Sequence, residues 1–241
     1  MYEGKILLTG DSAVTVQFGE KIDPAIYARV KNLKEALEKA KPEGIVELIP
    51  TYRSLMVQYD PLMLSFDRLC DILKECMKQG GTAVEGHKKV LTIPVCFGGD
   101  KGPDLEDVAE YHHISTEEVI RLCCSKDVLI YMLGFTPGYP YIGGMPKELV
   151  TPRLASPRLK VPAGTMGIGG EQLGVYSVDS PGGFRLLGRT PLRLYDAARG
   201  SKAVLLEAGE YIRFTAIDEA EYERIAQEEA QGIYQYEIRE E

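Results

Sequence analysis

Apolar side chains alternate between strand-like and helix-like spacing in the first third of the chain. Asp23 is a good N-cap and Pro24 favours a first helical turn, so a helix is predicted from there to about Pro42. A second amphipathic helix is predicted over 65–79, closed by Gly80-Gly81. Short apolar runs bounded by turn-like residues predict strands at 5–8, 13–18, 45–49 and 55–59. The resulting order, ββαββα, predicts a small α+β sandwich.

The pattern changes from residue 88 onward. A strand is predicted over 88–97 and a short helix over 105–111, and Ser115 and Glu118 form a capping box in which each side chain would satisfy the other's backbone N–H. Residues 134–200 hold 13 of the 25 glycines and 8 of the 14 prolines, which indicates short strands joined by tight turns. We therefore predict an α+β fold with an N-terminal α+β domain at 1–87 and a β-barrel domain at 88–241.

Composition and charge narrow the possible functions. The 241 residues are 44% hydrophobic with a formal net charge of −8, and the longest apolar run, residues 128–135, is too short for a membrane span. We expect a cytoplasmic protein that binds neither membrane nor nucleic acid. Residues 147–202 nevertheless carry nine basic and four acidic side chains, a net of +5, which leaves −13 elsewhere. This basic island suits a small anionic ligand or an acidic partner surface. The acidic tail, 218–229, predicts a solvated surface helix.

Cysteine and histidine spacing gives no sign of a metal site. Five cysteines form an odd set without a CxxC pair, and we expect reduced thiols. The three histidines, His87, His112 and His113, do not fall into a zinc-binding spacing. No metal is therefore expected in this chain.

Two motifs could position a ligand. The run from Gly134 to Gly144 alternates glycine and proline around Tyr139 and Tyr141, so it either holds these rings in set orientations or only turns a corner of the barrel. The repeated Pro-Arg pairs at Arg153 and Arg158 offer rigidly placed guanidinium groups for a carboxylate or phosphate. Either arginine could instead pair with an acidic side chain of its own fold.

Other motifs exclude common chemistries. The glycines of residues 164–170 lack the third glycine of a dinucleotide-binding fingerprint and are not followed by a predicted helix, and no P-loop is present. Gln172 follows them as a neutral hydrogen-bonding group. Ser180 lacks a GxSxG context, which argues against a serine hydrolase, and Arg189 with Thr190 lies between a glycine and a proline.

These runs together, in this order and spacing, resemble the PxpB or KipI family, the B subunit of 5-oxoprolinase, which is often labelled allophanate hydrolase subunit 1. The resemblance strengthens at Ile93–Gly99 and Gly102–Leu105 and is most specific from Gly134 to Pro191. It implies that the second domain is a cyclophilin-like β-barrel. It also relates the chain to the carboxyltransferase region of urea carboxylase.

The resemblance further implies a function that needs partners. Family members work with a sister barrel subunit, PxpC or KipA, and with PxpA to hydrolyse 5-oxoproline to L-glutamate at the expense of ATP. The subunit that binds ATP is left open. Because the substrate carboxylate and the transferred phosphoryl both need cations, Arg153, Arg158 and Arg189 are the expected catalytic residues. Substrate-binding roles are expected for Tyr139, Tyr141, Gln172, Tyr176 and Thr190.

Departures from the family pattern affect the site more than the fold. Phe184 stands where relatives usually have tryptophan, and Leu173 where they have threonine. Cys123-Cys124 occupy the place of a histidine that could be a general base. Two alternatives to the main hypothesis stay open, namely a KipI-type inhibitor of a sporulation histidine kinase and a subunit acting on another amide or urea-like substrate.

Overall fold

The computed structural model describes residues 4–79 and 88–241. The chain divides into two compact units, Met1–Gly86 and His87–Glu241. The predicted domain boundary after residue 87 and the predicted helix end at Gly80-Gly81 both lie outside the described residues. The boundary therefore stays a prediction.

The first unit has the predicted ββαββα order. Its elements are β1 (Lys5–Leu8), β2 (Ala13–Gln17), α1 (Pro24–Ala40), β3 (Ile45–Pro50), β4 (Ser54–Tyr59) and α2 (Phe66–Gln79). The strands form one antiparallel sheet in the order β1-β2-β4-β3. The Asp23 side chain caps α1 by accepting a hydrogen bond from Ala25 N–H at 2.7 Å. Helix α1 buries Tyr27, Val30, Leu33 and Leu37 on one face.

The second unit consists mainly of short strands, interrupted by helices. In chain order its elements are β5 (Lys89–Phe97), α3 (Leu105–His112), α4 (Thr116–Cys123), β6 (Val128–Leu133), β7 (Pro140–Gly143), β8 (Arg158–Val161), β9 (Thr165–Gly169), β10 (Gln172–Val175), β11 (Ser180–Gly182), β12 (Arg185–Arg189), β13 (Tyr211–Ile217), α5 (Glu219–Gln231) and β14 (Ile238–Glu240).

Seven of these strands close into a barrel. Their order is β12-β9-β10-β7-β6-β13-β5, and pairing of β12 with the end of β5 completes the ring. Strands β5 and β13 are parallel, whereas the other neighbours are antiparallel. Large apolar side chains fill the interior, with Ile130, Ile142, Met166 and Phe214 fully buried. The predicted α+β class with a barrel is thus confirmed.

Two local predictions need correction. Ser115 Oγ accepts the Glu118 N–H at 3.2 Å, but the Glu118 carboxylate binds Arg121 instead of completing the capping box. Helix α5 is not solvated on all sides, since Ile225 and Glu229 are buried. The Glu229 carboxylate accepts hydrogen bonds from Tyr236 at 2.7 Å and Arg199 at 3.0 Å, so burial is compensated by partners.

Candidate functional site

A pocket of about 290 Å³ opens beside the glycine- and proline-rich segment of the barrel. We call it the aromatic pocket. Its lining consists mostly of rings and rigid backbone, together with one arginine: Phe135, Tyr139, Tyr141, Arg153, Pro157, Tyr176, Pro181, Gly182, Gly183 and Phe184. The predicted tyrosines and Arg153 therefore meet in one place. A mainly apolar wall with few polar groups is the usual composition of a small-molecule site.

The rings of the pocket hold one another in edge-to-face contacts. Tyr139 is central, with ring centroids 5.2 Å from Tyr141, 5.5 Å from Tyr176 and 5.5 Å from Phe135. Tyr176 in turn contacts Phe184 at 6.3 Å. Such contacts are favoured by the aromatic quadrupole, so each ring restricts the orientation of the next. The loop between β6 and β7 thus orients its tyrosines as well as turning the chain.

Glycines make room for this packing. A Cβ at Gly174 would lie 2.2 Å from the Tyr139 hydroxyl oxygen, and a Cβ at Gly182 would lie 2.0 Å from the Tyr176 hydroxyl oxygen. Neither distance is compatible with a side chain unless a ring moves. The glycines of the two motifs therefore permit close approach of the phenols to neighbouring backbone.

The Arg153 side chain is oriented by neutral groups and not by an acidic partner. Its Nη2 donates a hydrogen bond to Gln172 Oε1 at 2.7 Å, and its guanidinium carbon lies 5.0 Å from the Phe184 ring centroid. Within the described ranges it forms no ion pair. Gln172 thus orients the guanidinium while leaving a full positive charge at the pocket, which suits a ligand carboxylate.

Arg158 forms an ion pair within the fold. Its Nη2 lies 2.6 Å from Oδ1 of the buried Asp104, whose Oδ2 accepts the Leu186 N–H at 2.6 Å. Arg158 thus has the acidic partner within its own fold that the sequence left open as the alternative to ligand binding. The charge of Arg158 still acts on the site. Burial raises the pKa of the Tyr176 phenol, whereas a hydrogen bond with the Phe184 backbone and the nearby charges of Arg153 and Arg158 oppose that rise.

The remaining predicted residues lie elsewhere. Thr190 is buried and lines a second cavity of about 390 Å³, which we call the polar cavity. The cavity is lined by Ala163, Gly164, Ser177, Val178, Asp179, Thr190, Pro191, Leu192, Arg193, Tyr195 and Tyr222. Arg189 lies beside it, with a buried Nε that has no hydrogen-bond partner among the residues described. Of the predicted site residues, four therefore line the aromatic pocket and Thr190 lines the polar cavity, whereas Arg158, Gln172 and Arg189 line neither.

Metal-binding clusters and membrane-spanning helices are both absent from residues 4–79 and 88–241. These ranges contain no cluster of three or more His, Cys, Asp or Glu side chains arranged to hold a metal ion. None of their helices has the length and hydropathy needed to cross a bilayer.

Comparison with known proteins decides the family. Residues 4–206 match the family described as carboxyltransferase domain, subdomain C and D. The chain is 38% identical over 229 residues to the B subunit of 5-oxoprolinase from Bacillus subtilis (strain 168), covering 91% of this chain and 95% of the relative. The chain belongs to the PxpB family of 5-oxoprolinase B subunits. The corresponding Escherichia coli O157:H7 protein is 37% identical, with 89% and 96% covered.

A solved structure supports the shared fold of this PxpB family member. The urea amidolyase of K. lactis superposes with a TM-score of 0.84 over 98% of this chain and 16% of that protein. Sequence identity is 22%, so this similarity concerns the fold.

The resemblance sets Cys123-Cys124 at the place of a histidine, and the surroundings of both thiols disfavour their ionisation. Cys123 is buried in the barrel core, and burial raises its thiol pKa far above the ordinary value. Burial also raises the pKa of Cys124 to about 11. Burial therefore favours the protonated form of both thiols near pH 7, and we expect neither to act as a general base.

Several important residues were not selected from the sequence. Asp104 belongs to a motif that carries the family resemblance, but its pairing with Arg158 joins positions 54 residues apart. Phe135 is exposed at the pocket and has a left-handed φ of 62°. Such a backbone is uncommon for a bulky residue, and the signal in the sequence was its position between Gly134 and Thr136-Pro137.

Proposed function

We propose that this protein is the PxpB component of an ATP-dependent 5-oxoprolinase, a hydrolase complex that converts 5-oxoproline to L-glutamate. The curated relatives named as B subunits of 5-oxoprolinase support this proposal. The structural observation that carries it is a positive charge at a small, largely aromatic pocket. This charge belongs to Arg153, which forms no ion pair with any acidic side chain of the described residues.

The substrate chemistry fits this pocket. 5-Oxoproline has a compact five-membered ring and one carboxylate. Ring faces of Tyr139, Tyr141 and Phe184 suit the ring, while Arg153 suits the carboxylate through paired N–H donors. Gln172 fixes the direction of the guanidinium, so less side-chain entropy is lost when the substrate binds.

The reaction itself calls for more than this chain. A lactam is a poor electrophile, and phosphorylation of its oxygen would activate the ring carbon toward water. We infer that a sister barrel subunit of the PxpC or KipA type and a PxpA-like subunit complete the catalytic site, and that the complex uses ATP in the cytoplasm. In this assignment, the present chain binds and orients the substrate and stabilises developing negative charge.

Reconstitution tests the proposal. The protein would be coexpressed with both partner subunits, and ATP-dependent glutamate formation from 5-oxoproline would be measured in the purified complex. Activity that requires all three chains is expected. An assembled, soluble complex that consumes no 5-oxoproline would overturn the assignment, and activity on another amide would identify a different substrate.

The role of Arg153 has a sharper test. Wild-type complex should prefer 5-oxoproline over its carboxamide by about 100-fold in kcat/KM, because the uncharged analogue lacks the carboxylate. Arg153→Gln should remove most of that preference. Arg121→Gln, which alters an exposed arginine paired with Glu118, is the matched control and should preserve it. Equal preference in wild type and Arg153→Gln would contradict carboxylate binding by Arg153.

A further inference from the structure

Phe135 lies on the wall of the aromatic pocket in an unusual backbone conformation. It is the central residue of a three-residue turn in which the Thr136 N–H donates to Gly134 O at 2.7 Å. With a φ of 62°, the turn is a γ-turn of the rare, strained kind. A bulky side chain disfavours positive φ, whereas glycine adopts it freely. The chain therefore keeps a phenylalanine ring here at a cost in conformational energy.

The fold does not offset this cost by burying the ring. Phe135 is 61% exposed, although three neighbouring rings, those of Tyr139, Tyr176 and Phe184, are buried. The Phe135 ring contacts the Tyr139 ring edge to face, with centroids 5.5 Å apart. Burial of a phenylalanine side chain is strongly favourable, so most of the stabilisation that this ring can give is unused within the fold. A molecule in the pocket would cover the ring.

Hydrogen bonds hold the turn that carries Phe135. The Gly134 N–H donates to Tyr139 O at 3.1 Å, and the Tyr139 N–H donates to Thr136 O at 3.1 Å. The Thr136 hydroxyl lies 3.2 Å from that of Ser177, which follows β10. The ring is therefore positioned at the pocket before a ligand binds, which lowers the entropy lost on binding.

The rest of the pocket indicates what Phe135 would contact. Arg153 supplies a positive charge and rings supply much of the remaining lining, around a cavity of about 290 Å³. These features suit a small ring that carries one carboxylate. The amide group of a lactam is planar, as any amide is, so its face can stack on an aromatic ring.

We propose that Phe135 is a specificity-determining residue that stacks on the planar amide of a small lactam carboxylate in the aromatic pocket. The proposal deepens the proposed function and rests on it for the identity of the ligand. Strained backbone conformations are concentrated at ligand-binding sites, and covering the exposed ring on binding would offset the strain of the turn.

Ligand titrations followed by saturation-transfer NMR test this role on the purified protein without ATP. Phe135→Gly and Phe135→Ala should each bind 5-oxoproline about fivefold more weakly than wild type, because both lose the ring, and Phe135→Tyr should keep wild-type affinity. Tetrahydrofuran-2-carboxylate has the same ring size and a carboxylate but no planar amide. Its affinity should change by less than about twofold in the same variants.

Thermal unfolding separates the strain of the turn from the contacts of the ring. Phe135→Gly should have a higher Tm than Phe135→Ala, because both variants lose the ring and only glycine adopts the positive φ freely. A lower Tm for Phe135→Gly than for Phe135→Ala would show that the turn is not strained and would overturn the proposal.

The binding results are decisive as well. Three results would overturn the proposal: no binding of 5-oxoproline by wild type, wild-type affinity in Phe135→Gly, or an equal loss of affinity for both ligands in that variant. Binding of 5-oxoproline that depends on Phe135, in a protein whose assembled complex leaves 5-oxoproline intact, would support the proposal and contradict the proposed function alone.

Discussion

At the scale of single residues, the partner of each arginine decides what that arginine can do. Arg153 is oriented by a neutral amide, Arg158 is bound to a buried carboxylate, and Arg189 has a buried Nε without a hydrogen-bond partner in the described ranges. All three have a similar local sequence context, with proline nearby. The sequence could select them as a group, but it could not separate them, because Asp104 is brought to Arg158 only by the closed barrel.

Arg158→Gln tests the structural assignment of this side chain. Removing the guanidinium leaves the Asp104 carboxylate buried with one fewer partner, which should cost about 1–3 kcal/mol of stability. Urea unfolding followed by circular dichroism measures the loss. Arg153→Gln, which breaks no ion pair among the described residues, should stay within about 0.5 kcal/mol of wild type. Equal losses in the two variants would contradict the distinction.

Gly182 and Gly183 form a natural matched pair. A methyl group at Gly182 would overlap the Tyr176 phenol, whereas one at Gly183 would meet Pro157 at an ordinary 3.6 Å. We expect Gly182→Ala to cost about 1–3 kcal/mol and to lower 5-oxoprolinase activity by displacing a wall of the aromatic pocket. Gly183→Ala should change stability little. Thermal unfolding and the reconstituted assay give the comparison, and indistinguishable variants would show that the ring is not confined by Gly182.

At the scale of elements, local signals predicted most of the first unit. Helix α1 begins where Asp23 and Pro24 predict, because a cap and a fixed φ act within a single turn. The barrel was predicted as a class from its glycine and proline content, but its pairings were not. Strand β5 pairs with β13 in parallel and with β12 at the closure of the barrel. Both pairings join segments that are distant in sequence, and the spacing of apolar residues within one segment does not predict such contacts.

Helix α5 shows the same limit. Its acidic composition predicted a solvated surface helix, yet Glu229 is buried. Its carboxylate accepts hydrogen bonds from Arg199, which precedes the helix in sequence, and from Tyr236, which follows it. The composition of a helix indicates only its average exposure. Whether one particular carboxylate is buried depends on hydrogen-bond donors outside the helix, which the helix sequence does not show.

His112, the last residue of α3, should make stability depend on pH. Burial, reinforced by the charge of His113, lowers its pKa below the ordinary 6.5. Thr151 donates its hydroxyl proton to Leu149 O, so Nε2 of neutral His112 is assigned as the donor to Thr151 at 2.9 Å. The unfolded chain therefore takes up the proton first, and stability should fall as pH drops below about 6.5.

Thermal unfolding of His112→Gln between about pH 7 and pH 5 checks this assignment. The variant should lose part of the wild-type decrease in Tm over that interval, because it has no imidazole to protonate. His113→Asn keeps the left-handed φ of 55°, which asparagine tolerates, and measures the smaller part of the effect that comes from the charge of His113. A wild-type pH dependence that persists unchanged in His112→Gln would exclude His112 as its source.

At the scale of the whole molecule, the basic island is resolved into a few available charges. Five of its nine basic side chains have acidic partners within 4 Å: Arg158, Lys160, Arg185, Arg193 and Arg199. The other four have no ion pair in the part of the chain that the structure describes, and of these Arg153 lines the aromatic pocket. The net of +5 that pointed to an anionic ligand therefore reaches a ligand pocket through Arg153, where it suits a carboxylate.

Asp127 joins distant parts of the second unit. Its carboxylate lies 2.7 Å from Lys88, 2.6 Å from Arg213 and 2.9 Å from Arg239, so one anion links segments from the start, middle and end of the unit. Burial opposes its ionisation, but hydrogen bonds from Lys88 and Arg213 outweigh that effect and hold the pKa of Asp127 below its usual 3.8.

Because the folded-state pKa of Asp127 is depressed, its contribution to stability is present above the unfolded value and is lost as pH falls through the folded value. Asp127→Asn should cost about 2–4 kcal/mol at pH 7, since three cations lose a shared partner. The difference in Tm from wild type should shrink in acid, where both side chains are uncharged. Asp71→Asn, at an exposed helical pair, should change Tm little at any pH. A gap between wild type and Asp127→Asn that stays constant down to about pH 2 would mean that the carboxylate charge does not provide this stabilisation.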